Sequence, residues 1–346
     1  MMMKIIFNKL FKKTNKPEVS SRITSDTIAH HRERILAGGR RFKYPIQYAR
    51  HKLVFNAIII SVGALILLLV IGWWQLYPQQ NTSDFAYRVT KVIPVPVASV
   101  DGWLVRYSDY LMKYLSSVHY LEQKEQVNLK TEDGKRQVAY VKQQAMDDAI
   151  ADSYAKKLAS NLGLSISDVE IELFLKSQRQ SESGEISEKT YETVIADYYN
   201  WSPDEYRYAV KNKLLRQKVA YQIDKKASNL VEKATSLIST DPATSLKILA
   251  DNLSGQSDIK VTYGVSGLVS KFNQDGGLST EASKITVNKI SNVVKPTTGD
   301  GYYFVRPTEI NDLQVNYEYI YIPLSEFSND LQSVIDAKKI QKFISL

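Results

Sequence analysis

One run of the chain, residues 53–77, contains no charged residue: LVFNAIIISVGALILLLVIGWWQLY. An α-helix rises about 1.5 Å per residue, so about 20 apolar residues cross the hydrocarbon layer of a bilayer. Trp73, Trp74 and Tyr77 stand at the end of the run, and amphipathic aromatic rings favour the membrane interface. Helices buried in soluble cores are rarely so uniformly apolar. The sequence therefore predicts a single transmembrane helix over residues 53–77, with these three aromatic residues at one interface.

Positive charge is concentrated before this run. Residues 1–52 hold 13 Lys and Arg residues against 3 Asp and Glu, whereas the rest of the chain holds 32 basic and 34 acidic residues. Because basic segments stay on the cytoplasmic side, we predict a basic cytoplasmic tail over 1–52, Arg50 and Lys52 at the inner interface, and extracytoplasmic C-terminal domains. The nearly neutral remainder argues against a nucleic-acid partner. The long basic segment and the long apolar run favour an uncleaved signal-anchor over a cleaved signal peptide.

Several classes of site lack the residues that they need. The chain has no cysteine, which excludes disulfides, thiolate catalysis and cysteine metal ligands. Its four histidines, at positions 30, 31, 51 and 119, do not form a spaced ligand set. We therefore expect no metal site and no cofactor.

Beyond the apolar run the hydrophobic period changes once. Residues 78–92 begin with polar residues and are predicted to form a linker. Apolar residues recur at helical spacing through residues 93–238, and Ser202 with Glu205 three residues later is typical of a capping box. Asp241 and Pro242 open a further helix that ends at Gly255. After residue 256 the period becomes two, interrupted by glycine and polar turns, before a final amphipathic helix. We predict a helical domain over 93–238 and a smaller α+β domain over 239–346.

Three segments, taken in order, carry a resemblance to a known family. They are VASVDGWLVRYSDYLMKYL at 97–115, AMDDAIADSYAKKLASNLGLSISDVEIE at 145–172 and YYNWSPDEYRYAVKNKLLRQKV at 198–219. Their order resembles the N-terminal domain of the SurA/PrsA-like periplasmic foldases. The resemblance implies a mainly α-helical chaperone domain.

The region that follows resembles a divergent parvulin-type peptidyl-prolyl isomerase domain, also called PpiC-like, which follows the helical domain in that family. KISNVVKPTTGDGYYFVRPTE at 289–309 resembles its last strand pair, and Asp258 resembles a family-typical acid. A family histidine after Gly-Tyr is replaced by Tyr303. The resemblance implies Asp258 and Tyr303 as candidate catalytic residues.

A third candidate lies on the strand YEYIYIPL, residues 317–324. This strand resembles the first strand of the parvulin family, which bears a second histidine, but it carries Tyr319 or Tyr321 instead and comes after the rest. It either completes the sheet from the other end or begins a second, truncated copy. The expected fold is thus membrane-anchored, with one transmembrane helix, a mainly α-helical SurA-like domain and a small parvulin-like α+β domain.

The resemblance implies a membrane-anchored chaperone or foldase for unfolded or newly exported polypeptides. Clients would be buried transiently, without ATP, in a cleft between the two domains, and Trp103, Tyr107, Trp201 and Tyr206 are candidate contact residues. One alternative is prolyl isomerisation, whose barrier of about 20 kcal/mol is the twisting of one amide bond, so oriented hydroxyl groups can replace histidines. The other is a non-catalytic envelope-assembly protein with one fixed partner.

Overall fold

The chain divides into two units at the end of the apolar run. These are Met1–Trp74 and Gln75–Leu346. The computed structural model describes residues 24–43 and 45–345. The start of the predicted cytoplasmic tail, residues 1–23, lies outside the described residues.

Among its described residues, the first unit contains helix α1, Ser25–Lys43, and most of helix α2, Pro45–Leu76. Within α2, the stretch His51–Leu76 is long and apolar enough to cross a membrane. Its apolar side chains, Ile60 among them, are exposed rather than packed in a protein core. A soluble core helix would bury such side chains, so their exposure fits contact with lipid. The apolar run is helical as predicted, although the helix begins earlier, at Pro45.

Residues 78–92, predicted to be a linker, are mostly helical, and this part of the prediction is corrected. Helix α3, Asp84–Val92, begins where the Ala86 N–H donates to the Ser83 hydroxyl at 3.3 Å. Ala86 and Thr90 are buried on its inner face. The polar residues before the helix include its cap, so polar composition here marks a helix start rather than a flexible connection.

The first part of the second unit is helical, with a small β-hairpin. Its elements are β1 Pro96–Val100, β2 Trp103–Arg106, α4 Tyr107–Gln123, α5 Glu132–Leu162, α6 Asp168–Gln178, β3 Gln180–Ser181, β4 Gly184–Glu185, α7 Glu188–Tyr199 and α8 Pro203–Ile223. Gly163 ends α5 in the left-handed conformation, with φ of 66°. Ser167 and Glu170 form the capping box of α6, and Ser202 and Glu205 form that of α8. The cap of α8 agrees with the prediction from Ser202 and Glu205.

A three-stranded antiparallel sheet organises the α+β part. Its elements are α9 Lys225–Thr240, α10 Leu246–Ser254, β5 Thr262–Ser270, α11 Leu278–Ala282, β6 Gly301–Ile310 and β7 Gln314–Pro323. Strand β7 lies between β5 and β6, so the last of the three along the chain completes this sheet. One face packs against α9 and α10 through Phe304, Ile320 and Ile322. The other packs against α11 through Tyr303 and Tyr317.

The helical part ends earlier than predicted. Ala227 and Leu230 of α9 pack in the core between the sheet and its helices. The break falls at Asp224, whose carboxylate accepts the Ala227 N–H at 2.9 Å and caps α9. The predicted limits, 93–238 and 239–346, followed the continuous helical period, which runs across this cap.

The chain end returns to the helical part. Helix α12, Glu326–Asp336, follows the sheet, and strand β8, Ile340–Lys342, pairs antiparallel with β1. Val334 and Ile344 are buried in the same core as residues of β1 and α4. The predicted final helix therefore ends at Asp336, because the residues beyond it take backbone partners from the edge of β1. The segment after β7 thus contributes to both parts of the unit.

Candidate functional site

Two of the predicted catalytic residues, Tyr303 and Tyr319, lie on the same face of the sheet. Tyr303 of β6 is paired across the strands with Tyr321 of β7, and their rings stack with centroids 4.8 Å apart. The centroids of Tyr303 and Tyr319 are 5.8 Å apart. The Tyr303 hydroxyl donates to Asp300 Oδ2 at 2.9 Å. These four side chains form a site that we call the tyrosine face.

Burial raises the pKa of Tyr303, and the hydrogen bond to the Asp300 carboxylate raises it further. Burial likewise raises the pKa of Tyr321, with a further contribution from the charge of Asp300. Both hydroxyl groups are therefore protonated at neutral pH, so they act as hydrogen-bond donors rather than as bases.

Gly264 of β5 makes room for the tyrosine face. A Cβ atom at this position would lie 2.5 Å from the Cζ and hydroxyl oxygen of Tyr319. The ring of Tyr319 is therefore placed over the backbone of β5, where only glycine leaves it space. The third predicted catalytic residue, Asp258, is exposed before β5, and no hydrogen bond among the described residues joins it to Tyr303 or Tyr319.

A cleft of about 550 Å³ lies beside the tyrosine face. Its walls are α8, the loop 298–300 and α12, so it separates the helical part from the sheet. Asp300 and Tyr321 line it and belong to the tyrosine face as well. Its apolar surface comes from Ala220, Leu324, Phe327, Leu331 and Ile335. Of the residues that the parvulin resemblance singles out, Tyr321 lines the cleft, whereas Asp258, Tyr303 and Tyr319 do not.

Two cations of α8 line the cleft opposite this apolar surface. Arg216 lies 3.3 Å from a carboxylate oxygen of Asp152, which is buried, and 3.5 Å from one of Asp148. Lys213 pairs with no carboxylate among the described residues, and its Nζ lies 5.0 Å from the ring centroid of Phe174. Burial, and secondarily the charge of Arg216, lower the pKa of Lys213. No sequence motif marks Lys213 or Arg216 as a cleft residue. The opposite wall of the cleft comes from α12, which is more than 100 residues later in the chain, so the sequence around α8 does not reveal it.

Trp201 and Tyr206, two predicted contact residues, lie at the start of α8. The ring of Trp201 stacks on Tyr199 with centroids 5.0 Å apart, and its Nε1 donates to the Met112 carbonyl at 3.3 Å. The Tyr206 hydroxyl shares a hydrogen bond of 2.7 Å with that of Tyr191. Trp201 lines a groove of about 380 Å³ between α3 and α8, apart from the cleft.

Glu205 joins the two sides of this groove. Its carboxylate accepts from the Tyr87 hydroxyl at 2.6 Å and from Lys91 Nζ at 3.0 Å, both on α3. It also accepts hydrogen bonds from the backbone N–H and the hydroxyl of Ser202, the N-cap residue of α8. Burial alone would raise the pKa of Glu205, but these hydrogen bonds outweigh it and lower the pKa to about 2. The ionised carboxylate therefore fixes α3 to the start of α8 at neutral pH.

The other two predicted contact residues, Trp103 and Tyr107, differ in exposure. Trp103 is partly exposed next to the hairpin turn. Tyr107 is fully buried, and its hydroxyl donates to the Leu76 carbonyl at 2.8 Å. Tyr107 is therefore a core residue in the structure, which corrects its predicted exposure to a client. The sequence alone did not show which of these two aromatic residues is exposed and which is buried.

The predicted interfacial residues are divided between the two units. Arg50 comes directly before the stretch His51–Leu76 of α2 and Lys52 is its second residue, whereas Trp73 and Trp74 are exposed near its end. Tyr77 is different: it is half-buried in the second unit, and its hydroxyl donates to the Pro96 carbonyl at 2.7 Å. Tyr77 therefore belongs to the folded unit, which its place at the end of an apolar run did not indicate.

The comparisons with known proteins agree with the helical part. The profile of the SurA-like N-terminal domain family matches residues 46–220, half of the chain, from α2 into α8. No curated protein and no solved structure matches the chain. The profile covers the groove beside Trp201 and the α8 wall of the cleft up to residue 220. The chain belongs to the family of proteins with a SurA-like N-terminal domain.

Proposed function

We propose that this protein is a membrane-anchored, extracytoplasmic chaperone that binds unfolded or newly exported polypeptides in the cleft between α8 and α12. The observation that carries the proposal is the cleft itself, which has a volume of about 550 Å³ and is lined by apolar side chains and by charged ones of both signs, in a chain with a SurA-like domain. A volume of this order accommodates a few side chains of an extended peptide. Apolar side chains of the client pack against α12, and acidic ones face Lys213 and Arg216.

The proposed anchor is α2, with the N-terminus in the cytoplasm. Tethering raises the effective concentration of a weak binding site where clients emerge from the membrane. Weak, reversible burial of apolar segments needs no ATP, because release follows when the client folds and buries the same segments itself.

Filling the cleft without disturbing the core tests this proposal. Ser328 and Asn329 are neighbouring exposed residues of α12, but only Ser328 lines the cleft. We expect Ser328→Trp in the full chain, reconstituted in nanodiscs, to weaken suppression of client aggregation about tenfold, which corresponds to about 1.4 kcal/mol of binding free energy. Asn329→Trp is the matched control and should retain activity. Equal activity of both variants would contradict binding in the cleft.

A second function is favoured by the tyrosine face. The resemblance implies Tyr303 in place of one family histidine and Tyr319 or Tyr321 in place of the other, and β7 lies at the centre of the sheet. The Tyr319 hydroxyl forms no hydrogen bond among the described residues and can donate to a twisted prolyl amide, and the Tyr303 hydroxyl can do so by exchanging its acceptor, Asp300, for that amide. We therefore propose prolyl isomerisation at this face as the alternative activity. Tyr303→Phe should then abolish isomerisation of a proline peptide by the full chain. Tyr302→Phe, one residue away on the opposite face, should leave it unchanged.

A fixed-partner role in envelope assembly is the remaining proposal. A general chaperone suppresses the aggregation of several unrelated denatured proteins, whereas a fixed-partner protein suppresses none of them and co-purifies with one species. The same nanodisc-reconstituted chain distinguishes these outcomes.

A further inference from the structure

The folded unit begins almost at the end of the membrane-spanning stretch. Leu76, the last residue of α2, is 8% exposed and lies in the core with Tyr107 and Tyr77. Its carbonyl accepts the Tyr107 hydroxyl at 2.8 Å. The Gln75 carbonyl accepts the Asn81 N–H at 2.9 Å, and its side-chain oxygen accepts from the Asn81 amide at 3.0 Å. Both the backbone and the side chains of this junction are therefore held by the second unit.

Covalent geometry then limits how far this unit can lie from the bilayer. Leu76, which is buried, comes two positions after Trp74, at the predicted interface, and a chain spans at most about 3.6 Å per residue. The edge of the folded core is thus within about 7 Å of the interfacial tryptophan, a distance shorter than the thickness of the headgroup region. A part of the second unit near Leu76 must meet lipid headgroups if α2 spans the membrane.

Helix α3 follows this junction closely and presents apolar side chains to the outside. Phe85 is 75% exposed and Val92 is 82% exposed. Seven residues separate them, so they lie on the same side of the helix. Ile93, which follows directly, is exposed as well. The opposite side of α3, with Ala86 and Thr90, is buried, so α3 cannot turn this stripe inward without unpacking.

The same helix carries two cations, Arg88 and Lys91, both exposed. Lys91 pairs with Glu205 at 3.0 Å, and Arg88 lies between Phe85 and Val92 in the sequence. Both cations line the rim of the groove beside Trp201. An apolar stripe with cations beside it is the arrangement of helices that lie in the membrane interface, where the apolar side chains enter the acyl boundary and the cations meet phosphates. A phospholipid can contact both parts of this surface, because its acyl chains meet the apolar side chains and its phosphate meets the cations.

We infer that α3 is a membrane-contacting helix that holds the second unit on the bilayer surface, with Phe85 and Val92 in the acyl boundary of the leaflet that α2 leaves. This inference rests on the proposed anchoring by α2. With this second membrane contact the unit is not attached through α2 alone, so the distance between the cleft and the bilayer stays constant. Phospholipid is the partner, because the junction at Leu76 brings this helix to the bilayer and does not bring it to a client.

The absence of cysteine allows a direct test with single labels in the full chain. Val92→Cys and Val169→Cys form a matched pair, because Val169, in α6, is also an exposed helical valine, at 67%. Leu67→Cys, in the apolar stretch of α2, reports on the anchor itself. Each variant carries an environment-sensitive fluorophore and is reconstituted in nanodiscs, with and without lipids that bear a nitroxide on the part of the acyl chain next to the headgroup.

We expect the nitroxide lipid to quench the label at Val92 at least about twofold more strongly than the label at Val169, since an interfacial helix places its apolar face about 5–10 Å into the headgroup and acyl boundary. Phe85→Cys should behave as Val92→Cys does. If the label at Leu67 is quenched and those at Val92 and Phe85 are quenched no more than that at Val169, the inference is overturned while the anchor stands. If the label at Leu67 is also unquenched, the proposed anchoring fails, and the inference fails with it.

Discussion

One face of the three-stranded sheet buries Phe304, Ile320 and Ile322 beneath two helices, whereas the opposite face carries a row of tyrosines beneath one short helix. The first face is closed by apolar side chains of α9 and α10. On the second, Tyr303 and Tyr317 bond to the carboxylates of Asp300 and Asp275, at 2.9 Å and 2.8 Å. The two faces thus bury different chemistry within the same three strands.

This difference follows from strand geometry. Successive side chains of a strand point to opposite faces, so Tyr303 and Phe304 are neighbours in the chain but belong to different cores. Tyr319 and Tyr321 remain partly exposed, and Tyr321 reaches the cleft. The closed apolar face contributes stability. On the other face, the hydroxyls of Tyr303, Tyr317 and Tyr321 donate within the protein, and that of Tyr319 has no hydrogen-bond partner among the described residues and is the donor available to a ligand. The same sheet can therefore carry the fold on one side and recognition on the other.

The largest effect is expected on the closed face. Phe304 is 1% exposed, so Phe304→Ala should lower the free energy of unfolding by about 3–5 kcal/mol through lost burial and a cavity. Tyr321→Ala, which removes a half-buried ring from the other face, should cost less than half of that. Thermal unfolding of both variants in nanodiscs measures the ratio. Equal losses would remove the distinction between a stabilising face and a recognition face.

A smaller effect separates two tyrosines of the same face. The Tyr317 hydroxyl donates to Asp275, which also accepts the N–H groups of Gly277 and Ser279 at 3.1 Å and 3.0 Å. Tyr317→Phe removes a hydrogen bond to a charged group and should cost about 1.5–3 kcal/mol of unfolding free energy. Tyr319→Phe should cost little, because the Tyr319 hydroxyl forms no hydrogen bond within the described residues. A comparable loss in the two variants would show that the rings, rather than the hydroxyl groups, stabilise this face.

Local features of the fold were predictable from the sequence, and contacts between distant segments were not. The cap at Ser202 depends on residues within one helical turn, so the capping-box pattern predicted it correctly. The pairing of β8 with β1 joins residues 340–342 to residues 98–100, and a three-residue strand has no period to detect. Helix α3 was missed because its polar cap and short length resemble a linker.

In the candidate site, too, some features were predictable from the sequence and others depend on contacts between distant segments. The resemblance implied a site of Asp258, Tyr303 and Tyr319. The register of β6 with β7 brings the two tyrosines together, whereas Asp258 is exposed before β5 and forms no hydrogen bond with either of them among the described residues. The cleft beside them was expected only in outline, because its walls come from α8, the loop 298–300 and α12. Lys213 and Arg216 are ordinary basic residues of an exposed helix in the sequence. Their role in the cleft arises only when the chain end folds back over α8.

The smallest effect appears only at high pH, where the tyrosine face becomes ionisable. Burial first, and then the bond to Asp300, raise the pKa of Tyr303 above its ordinary value of 10.0. Below pH 10 the hydroxyl is protonated in both the folded and unfolded states, so it adds no pH dependence. Above pH 10 the unfolded chain loses this proton first, so the stability that the raised pKa represents is lost as pH rises toward the folded value.

Tyr303→Phe should therefore reduce the alkaline loss of stability by at most about 1.4 kcal/mol per pH unit. Unfolding midpoints of the full chain from about pH 8 to about pH 11 measure this slope, and the segment below about pH 9 is the internal control, since tyrosine titration contributes nothing there. An unchanged alkaline slope in Tyr303→Phe would mean that the hydroxyl ionises as easily in the folded protein as in the unfolded chain, and that the tyrosine face is open to water rather than held by Asp300.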